Sequence, residues 1–217
     1  VSDLRELLRG LDVFSGDLPD FDTDTLPADP RELFTDWLLA AVRAGVREPH
    51  AMTLSTIGTD GDPSARVLIV KDVSPDGWHF AADATGRKGR ELAGHPAAAL
   101  TFYWSPQARQ VRVRGRVTAG SGDASAADFL ARSPGARAET LLGLQSTPLP
   151  DLAGRDAAVR EAAARVDREG GLVAPGWTLY TLRPDSVEFW QGDRDRRHTR
   201  VAYTRTEDGW KRGLLWP

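Results

Sequence analysis

Cysteine is absent from the 217 residues. That excludes disulfides, thiolate catalysis and cysteine-bound metal, and it fits a reducing cytoplasm. Charge of one sign is not in excess: 28 basic against 31 acidic residues give −3, so no polybasic signature points to nucleic acid. No apolar run approaches the roughly 18 residues that cross a bilayer. The charged amphipathic stretch 1–10 lacks the apolar core of a signal peptide, so a cytoplasmic protein without a membrane partner is expected. Familiar catalytic signatures are also missing. No GxGxxG follows a strand, no P-loop occurs, and the glycines of a nucleophile elbow are lacking around Gln145-Ser146. His50, His79, His95 and His198 have no metal-ligand spacing, and no metal is expected.

What is present reads as a helical entry, a run of strands, a helical insert and strands again. Ser2 can cap a short helix that ends at Gly10. Residues 11–28, with Gly16, Pro19, Pro27 and many aspartates, read as an irregular or mobile arm. Asp29-Pro30-Arg31-Glu32 is a helix start, and Leu33, Phe34, Trp37, Leu38, Ala41 and Val42 then share one face until Gly45. Strands are expected at 52–57 and 65–70 around Asp60-Gly61, and at 78–82 after Asp76-Gly77. A helix follows at 87–93 and a strand at 98–104. In the next strand Val111, Val113 and Val117 alternate with Gln110, Arg112, Arg114 and Arg116. Helices at 124–132, 136–142 and 155–168 form the insert, and strands return at 178–182, 186–191, 200–204 and 210–214. Many short strands with tight turns and helical interruptions predict an antiparallel barrel with helical decoration. The expected division is an arm over 1–28 and one domain over 29–217, with its insert at about 122–170.

The candidate chemistry lies in three places. Val187-Glu188-Phe189-Trp190-Gln191-Gly192, followed by Arg196, His198 and Arg200, gathers an aromatic ring, arginines and an imidazole. Their spacing by two predicts that Arg196, His198 and Arg200 project to one face of an extended segment. Such a face suits an anionic aromatic ligand, and an exposed charged edge strand would show the same pattern. Arg87 and Lys88 open a helix after Thr85-Gly86, where free amides and two cations can cradle a phosphate or simply be solvated. Arg66 and Lys71 flank an apolar strand, and their odd separation sends them to opposite faces.

These pieces in this order resemble the pyridoxamine 5′-phosphate oxidase family of FMN-binding split barrels. The resemblance rests on Arg66-Val67-Leu68-Ile69-Val70-Lys71, Arg87-Lys88-Gly89-Arg90-Glu91-Leu92, Phe102-Tyr103-Trp104 and Arg109-Gln110-Val111-Arg112. It also rests on Gln145-Ser146, and on Glu188 to Gly192 with Arg196, His198 and Arg200. It implies a mainly β fold with α, an antiparallel split barrel, binding FMN as a homodimer with the flavin between subunits. By resemblance, Arg66, Arg87 and Lys88 match residues holding the FMN phosphate and ribityl chain. Gln110, Gln145, Ser146, Trp190 and Arg200 match residues around the ring and its tail. Lys71, Arg132, Arg196 and His198 match residues that bind a phosphorylated pyridine over the flavin, with Arg196 and His198 nearest the chemistry. The cofactor set also takes in Lys71 and the pair Ala81-Ala82.

The departures bear on substrate. Asp128 stands where the family has a tyrosine that contacts substrate phosphate, and Ala136 where it has a serine. Ala81-Ala82 replace a Tyr-Thr pair, Ser133 a proline, and Thr199 an aspartate, while Leu141-Leu142 fall where the family has a Gly-Ala-Trp stretch. Gly45-Val46-Arg47-Glu48-Pro49 and Lys88-Gly89-Arg90-Glu91-Leu92 resemble the branch of flavin oxidases in phenazine biosynthesis. The resemblance therefore implies an FMN-dependent oxidase that moves a hydride from a small-molecule substrate to flavin, with dioxygen as acceptor. The substrate is a pyridoxamine or pyridoxine phosphate, or a dihydroaromatic or amine intermediate of secondary metabolism. A flavin-binding protein without turnover is the alternative from another class.

Overall fold

The computed structural model describes residues 3–217, with six α-helices and nine strands among them. Helix α1 (Leu4–Arg9) is capped by Asp3, whose carboxylate accepts the Arg5 amide, and ends at Gly10. The expected cap at Ser2 lies outside the described residues. Helix α2 (Pro30–Arg43) starts as its sequence dictates: the Asp29 carboxylate accepts the Arg31 amide at 2.9 Å, and Pro30 takes the first turn, where no donor is missed. Leu33, Phe34, Trp37 and Ala41 are buried, but Val42 is 54% exposed, so the buried stripe is narrower than the periodicity predicts.

The strands are β1 (Ala51–Ile57), β2 (Pro63–Ile69), β3 (Asp72–Ser74), β4 (Gly77–Asp83), β5 (Ala97–Trp104), β6 (Arg109–Ala119), β7 (Trp177–Gln191), β8 (Thr199–Thr206) and β9 (Gly209–Leu215). They form one sheet in the order β2-β1-β5-β6-β7-β4-β3, with β8 on β7 and β9 on β8. Helix α3 (Arg87–Gly94) joins β4 to β5, and α4 (Gly122–Leu130), α5 (Pro134–Leu141) and α6 (Leu152–Arg168) form the insert before β7. Three differences from the sequence-based expectation stand out. β3 has three residues, too short to carry a pattern. The strands expected at 178–182 and 186–191 are one strand, β7. Pro184 sits between the register that pairs Thr178–Leu182 with β4 and the one that pairs Ser186–Gln191 with β8, where its missing donor costs neither ladder a bond. Finally, 193–198 is a turn and not extended chain.

Two compact units divide the described residues: 3–52, 100–113 and 185–217, and 53–99 and 114–184. In the first, the core is aromatic. Phe34 meets Phe102 at 4.8 Å, Trp37 meets Phe189 at 5.3 Å, and Phe189 meets Tyr203 at 5.9 Å, mostly edge to face. The arm over 11–28 is irregular, as its glycines and prolines predict, but it is not loose. Arg109 donates to the Asp20 carbonyl, Arg194 to those of Phe14 and Gly16, and Tyr203 to that of Pro27, while Phe21 packs on Trp37 at 4.8 Å. Arg109 is buried, stacks 4.2 Å over Trp37 and has its pKa pushed down to about 10 by burial.

In the second unit, Trp78, Phe80 and Leu182 are fully buried, Phe80 stacks on Tyr180, and Ala138, Ala162 and Val166 pack α5 against α6. No helix among the described residues is long and apolar enough to cross a membrane. Gly115 of β6 lies against backbone: a Cβ there would meet the Arg183 carbonyl oxygen at 2.0 Å and Pro184 Cα at 2.7 Å. Neither can swing aside. Gly115→Ala should therefore destabilise the fold by about 1–3 kcal/mol, read as a lower urea midpoint at unchanged slope. An unaltered midpoint would show that the two strands are not held this closely.

Candidate functional site

In the second unit, the first turn of α3 carries a cluster of cations around one carboxylate. Gly86 caps the helix without a side-chain bond, and among the described residues the amides of Arg87, Lys88 and Gly89 have no acceptor. Glu91, one turn on, is 2% exposed. Its Oε1 accepts Arg87 Nε at 2.9 Å, and its Oε2 accepts Arg66 from β2 at 2.8 Å and the Thr56 hydroxyl at 2.5 Å. Burial raises the Glu91 pKa, but the bonds from Thr56, Arg66 and Arg87 outweigh it and hold the carboxyl at about 2. Ser64 accepts a further Arg66 bond at 2.6 Å. Lys88 is buried, and its ammonium donates to Gln145 Oε1 at 2.5 Å. Burial lowers its pKa, the Arg66 charge adds to that, and Asp83 and Glu91 oppose it. A Cβ on Gly86 would come within 2.7 Å of that same Gln145 oxygen, and one on Gly89 within 2.3 Å of the Ala84 carbonyl, so the turn keeps its backbone bare. Ser146 follows in the left-handed region at φ 70°, exposed.

A second cluster in the same unit joins the link between β2 and β3, the insert and the start of β7. Lys71 Nζ lies 3.3 Å from Asp128 Oδ1, with side chains 25% and 15% exposed. The other Asp128 oxygen accepts the Trp177 indole N–H at 2.8 Å. Arg132 lies 3.9 Å over the Trp177 ring and donates to Thr140 at 2.6 Å. Burial lowers the Arg132 pKa against the pull of Asp128 and Glu139. Ala136 is half-buried on α5, where its amide caps onto Ser133. Ala81 and Ala82 are buried in β4, opposite Leu179 and Thr178; as methyl groups they offer wall and backbone but no side-chain donor.

In the first unit, Trp190 and His198 lie 5.0 Å apart, and Phe14 of the arm packs on both, at 5.8 and 5.4 Å. His198 Nδ1 accepts the Asp193 amide at 3.0 Å, so the neutral ring carries its proton on Nε2. The expected extended face is not formed. Asp193 closes a turn by accepting the amides of Asp195 and Arg197 on its carboxylate and that of Arg196 on its carbonyl. This sets Arg196 at φ 64°, so only Arg200 lies in β8. Among the described residues, neither the Arg196 guanidinium nor the Gln110 side-chain amide has a hydrogen-bonding partner. Arg200 is held by both oxygens of Glu188, at 3.3 and 3.0 Å, and donates to the Trp216 carbonyl at 2.7 Å; Arg112 lies 3.7 Å from Glu188.

Arg66, Arg87, Lys88 and Gln145 thus gather at the first turn of α3, Lys71, Asp128 and Arg132 around Trp177, and Trp190 and His198 against Phe14. Sequence reasoning quoted Glu91 and Glu188 within motifs but gave them no role, and it passed over Trp177 and Phe14. Glu91 has a readable signal, its spacing of four from Arg87. Phe14 has none, since nothing local fixes where the arm lies.

Residues 38–165 match the family described as pyridoxamine 5′-phosphate oxidase, and residues 177–217 the one described as pyridoxine 5′-phosphate oxidase C-terminal dimerisation region. A pyridoxine/pyridoxamine 5′-phosphate oxidase of Herminiimonas arsenicoxydans is 40% identical over 210 residues, covering 95% of this chain and 96% of its own. One of Thermosynechococcus vestitus is 42% identical over 190 residues, covering 87% and 89%. Among solved structures, PhzG from Burkholderia lata 383, in complex with tetrahydrophenazine-1-carboxylic acid, matches with a TM-score of 0.86 at 30% identity, over 93% of this chain and 100% of that one. An FMN-binding protein of Nostoc punctiforme related to pyridoxamine 5′-phosphate oxidase shares the fold, with a TM-score of 0.72 at 20% identity over 88% of this chain and 100% of its own.

The Glu91 carboxyl has an acid-stability signature. Its folded pKa, about 2, lies below the ordinary 4.5, so its stabilisation is complete above pH 4.5 and is lost as pH falls toward 2. Glu91→Gln should therefore flatten the fall of stability over that window, read from urea midpoints at stepped pH. An unchanged slope would show that Glu91 is not held ionised.

Proposed function

From the premise that this chain belongs to the pyridoxamine 5′-phosphate oxidase family and is an FMN-dependent oxidase of split-barrel fold, we propose that it oxidises a small ring substrate held through a carboxylate rather than a phosphate ester. The chemistry FMN supplies is acceptance of a hydride from a substrate carbon, with dioxygen as the final acceptor. The residues present fit FMN. Three unpaired amides at the start of α3, with Arg66, Arg87 and Lys88 around them, suit a terminal phosphate. In this reading Gln145 and Ser146 continue that cradle, Trp190, Gln110 and Arg200 border the ring, and His198 Nε2 with Arg196 orients the substrate.

The observation that carries the substrate reading is the ion pair of Lys71 with Asp128. Two cations, Lys71 and Arg132, face one fixed carboxylate, which leaves one net positive charge where a phosphate dianion needs two. An internal anion at 3.3 Å from Lys71 would also repel an incoming phosphate. A carboxylate-bearing or dihydroaromatic ring asks less of the site, and the solved relative PhzG is bound to such an acid. A vitamin-type oxidase acting on pyridoxamine or pyridoxine phosphate is the second reading, favoured by the names of the relatives near 40% identity and by the retention of Lys71, Arg132, Arg196 and His198. We place the protein as a homodimer, supported by the dimerisation-region match and by exposed Leu214, Leu215 and Trp216 within it.

Two outcomes follow. Replacing Arg87 and Lys88 by Ala should weaken FMN by roughly 1.5–3 kcal/mol for each charge-assisted bond lost and leave riboflavin nearly unaffected; equal losses for both flavins would remove the phosphate assignment. Pyridoxine phosphate should be a poor substrate, and Asp128→Tyr with Ala136→Ser should lower its KM, because a repelling charge is replaced by hydroxyl donors. Full activity on pyridoxine phosphate in the unaltered protein, unmoved by the double change, would establish the vitamin reading instead.

A further inference from the structure

We propose that Glu91 is the positioning residue of the phosphate cradle, its single buried carboxylate aiming Arg66 and Arg87 together at the ligand. This rests on the reading of the α3 cluster as the site of the FMN phosphate. The two carboxylate oxygens divide the work. Oε2 fixes Arg66, whose fork is also held by Thr56 and Ser64. Oε1 takes only Nε of Arg87, leaving both terminal nitrogens of that guanidinium without a partner among the described residues. The Arg87 side chain is 62% exposed and Glu91 3%, so a buried anchor holds an otherwise solvated cation. A long side chain held in one rotamer before binding spares the entropy of ordering it afterwards.

Charge alone gives the opposite expectation. Arg66, Arg87 and Lys88 against Glu91 sum to +2, and removing the carboxylate would raise the cradle to +3 and attract a phosphate more strongly. That gain is small at Arg87, where solvent screens it. The loss of aim touches both arginines at once. The sign of the change in FMN affinity therefore separates a positioning residue from a mere counter-charge.

The test is flavin-fluorescence titration of deflavinated protein with FMN and with riboflavin, after thermal melts show each variant folded. Glu91→Gln should raise the Kd for FMN about tenfold, as expected for losing the geometry of a charge-assisted contact, and leave that for riboflavin within about twofold. Arg87→Lys keeps the charge but has one ammonium where Arg87 has an Nε–H for Glu91 and separate terminal nitrogens for the ligand, so it should lose FMN-over-riboflavin preference nearly as far as Arg87→Ala does; it decides the matter even where Glu91→Gln does not fold. Unchanged or tighter FMN binding by Glu91→Gln, parallel losses for both flavins, or full preference in Arg87→Lys would overturn the proposal. Should Arg87→Ala with Lys88→Ala leave the preference intact, the cradle reading itself fails, a result distinguishable from the others.

Discussion

A fixed carboxylate beside Lys71 is the constraint on which the proposed choice of substrate depends. Asp128 is tied on one oxygen to the ammonium and on the other to the Trp177 indole, and Arg132 lies over that same indole. Both side chains are mostly shielded from water, so salt screens their attraction less than that of a surface pair. A ligand anion that engages Lys71 must either share it with Asp128 or displace it. The cost grows with ligand charge, so in the proposed reading the pair would discriminate against a dianion without blocking a monoanion.

The same device recurs around the other proposed ligand groups. Glu91 holds Arg66 and Arg87, and Glu188 holds Arg200 with Arg112 nearby. In each case a carboxylate more buried than its cation fixes a guanidinium or ammonium by one edge. Arg200 goes further, since the Trp216 carbonyl takes another of its donors. Arg196 is the contrast. Its guanidinium has no partner among the described residues, and the Asp193 turn holds its backbone left-handed. Long cations are costly to order at the moment of binding, and these anchors move that cost into folding.

Much of the fold was legible because local rules were followed closely. Asp29-Pro30 starts α2, Asp60-Gly61 turns β1 into β2, and the valines of β6 alternate into the core. The strand merged across Pro184 was not legible, since its tolerance depends on where two partner strands stop and start. For the candidate site, the cluster at Arg87 and Lys88 was readable from a helix start, and Asp128 from its departure against a known pattern. The projection of Arg196 and His198 to one face was misread, because period-two reasoning assumes a strand and an aspartate side chain made a turn. Phe14 reaches Trp190 and His198 across some 180 residues of sequence, a contact that no periodicity encodes.

Bleaching of the bound flavin without oxygen reads the choice between carboxylate and phosphate ester directly. The purified yellow protein would be mixed anaerobically with pyridoxine phosphate and, separately, with a series of dihydroaromatic and cyclic-amine carboxylates, following loss of flavin absorbance and its return in air with release of peroxide. The expected result is fast, reversible bleaching by a carboxylate and slow bleaching, at high concentration only, by the phosphate ester. Rapid bleaching by pyridoxine phosphate with none by any carboxylate would contradict it.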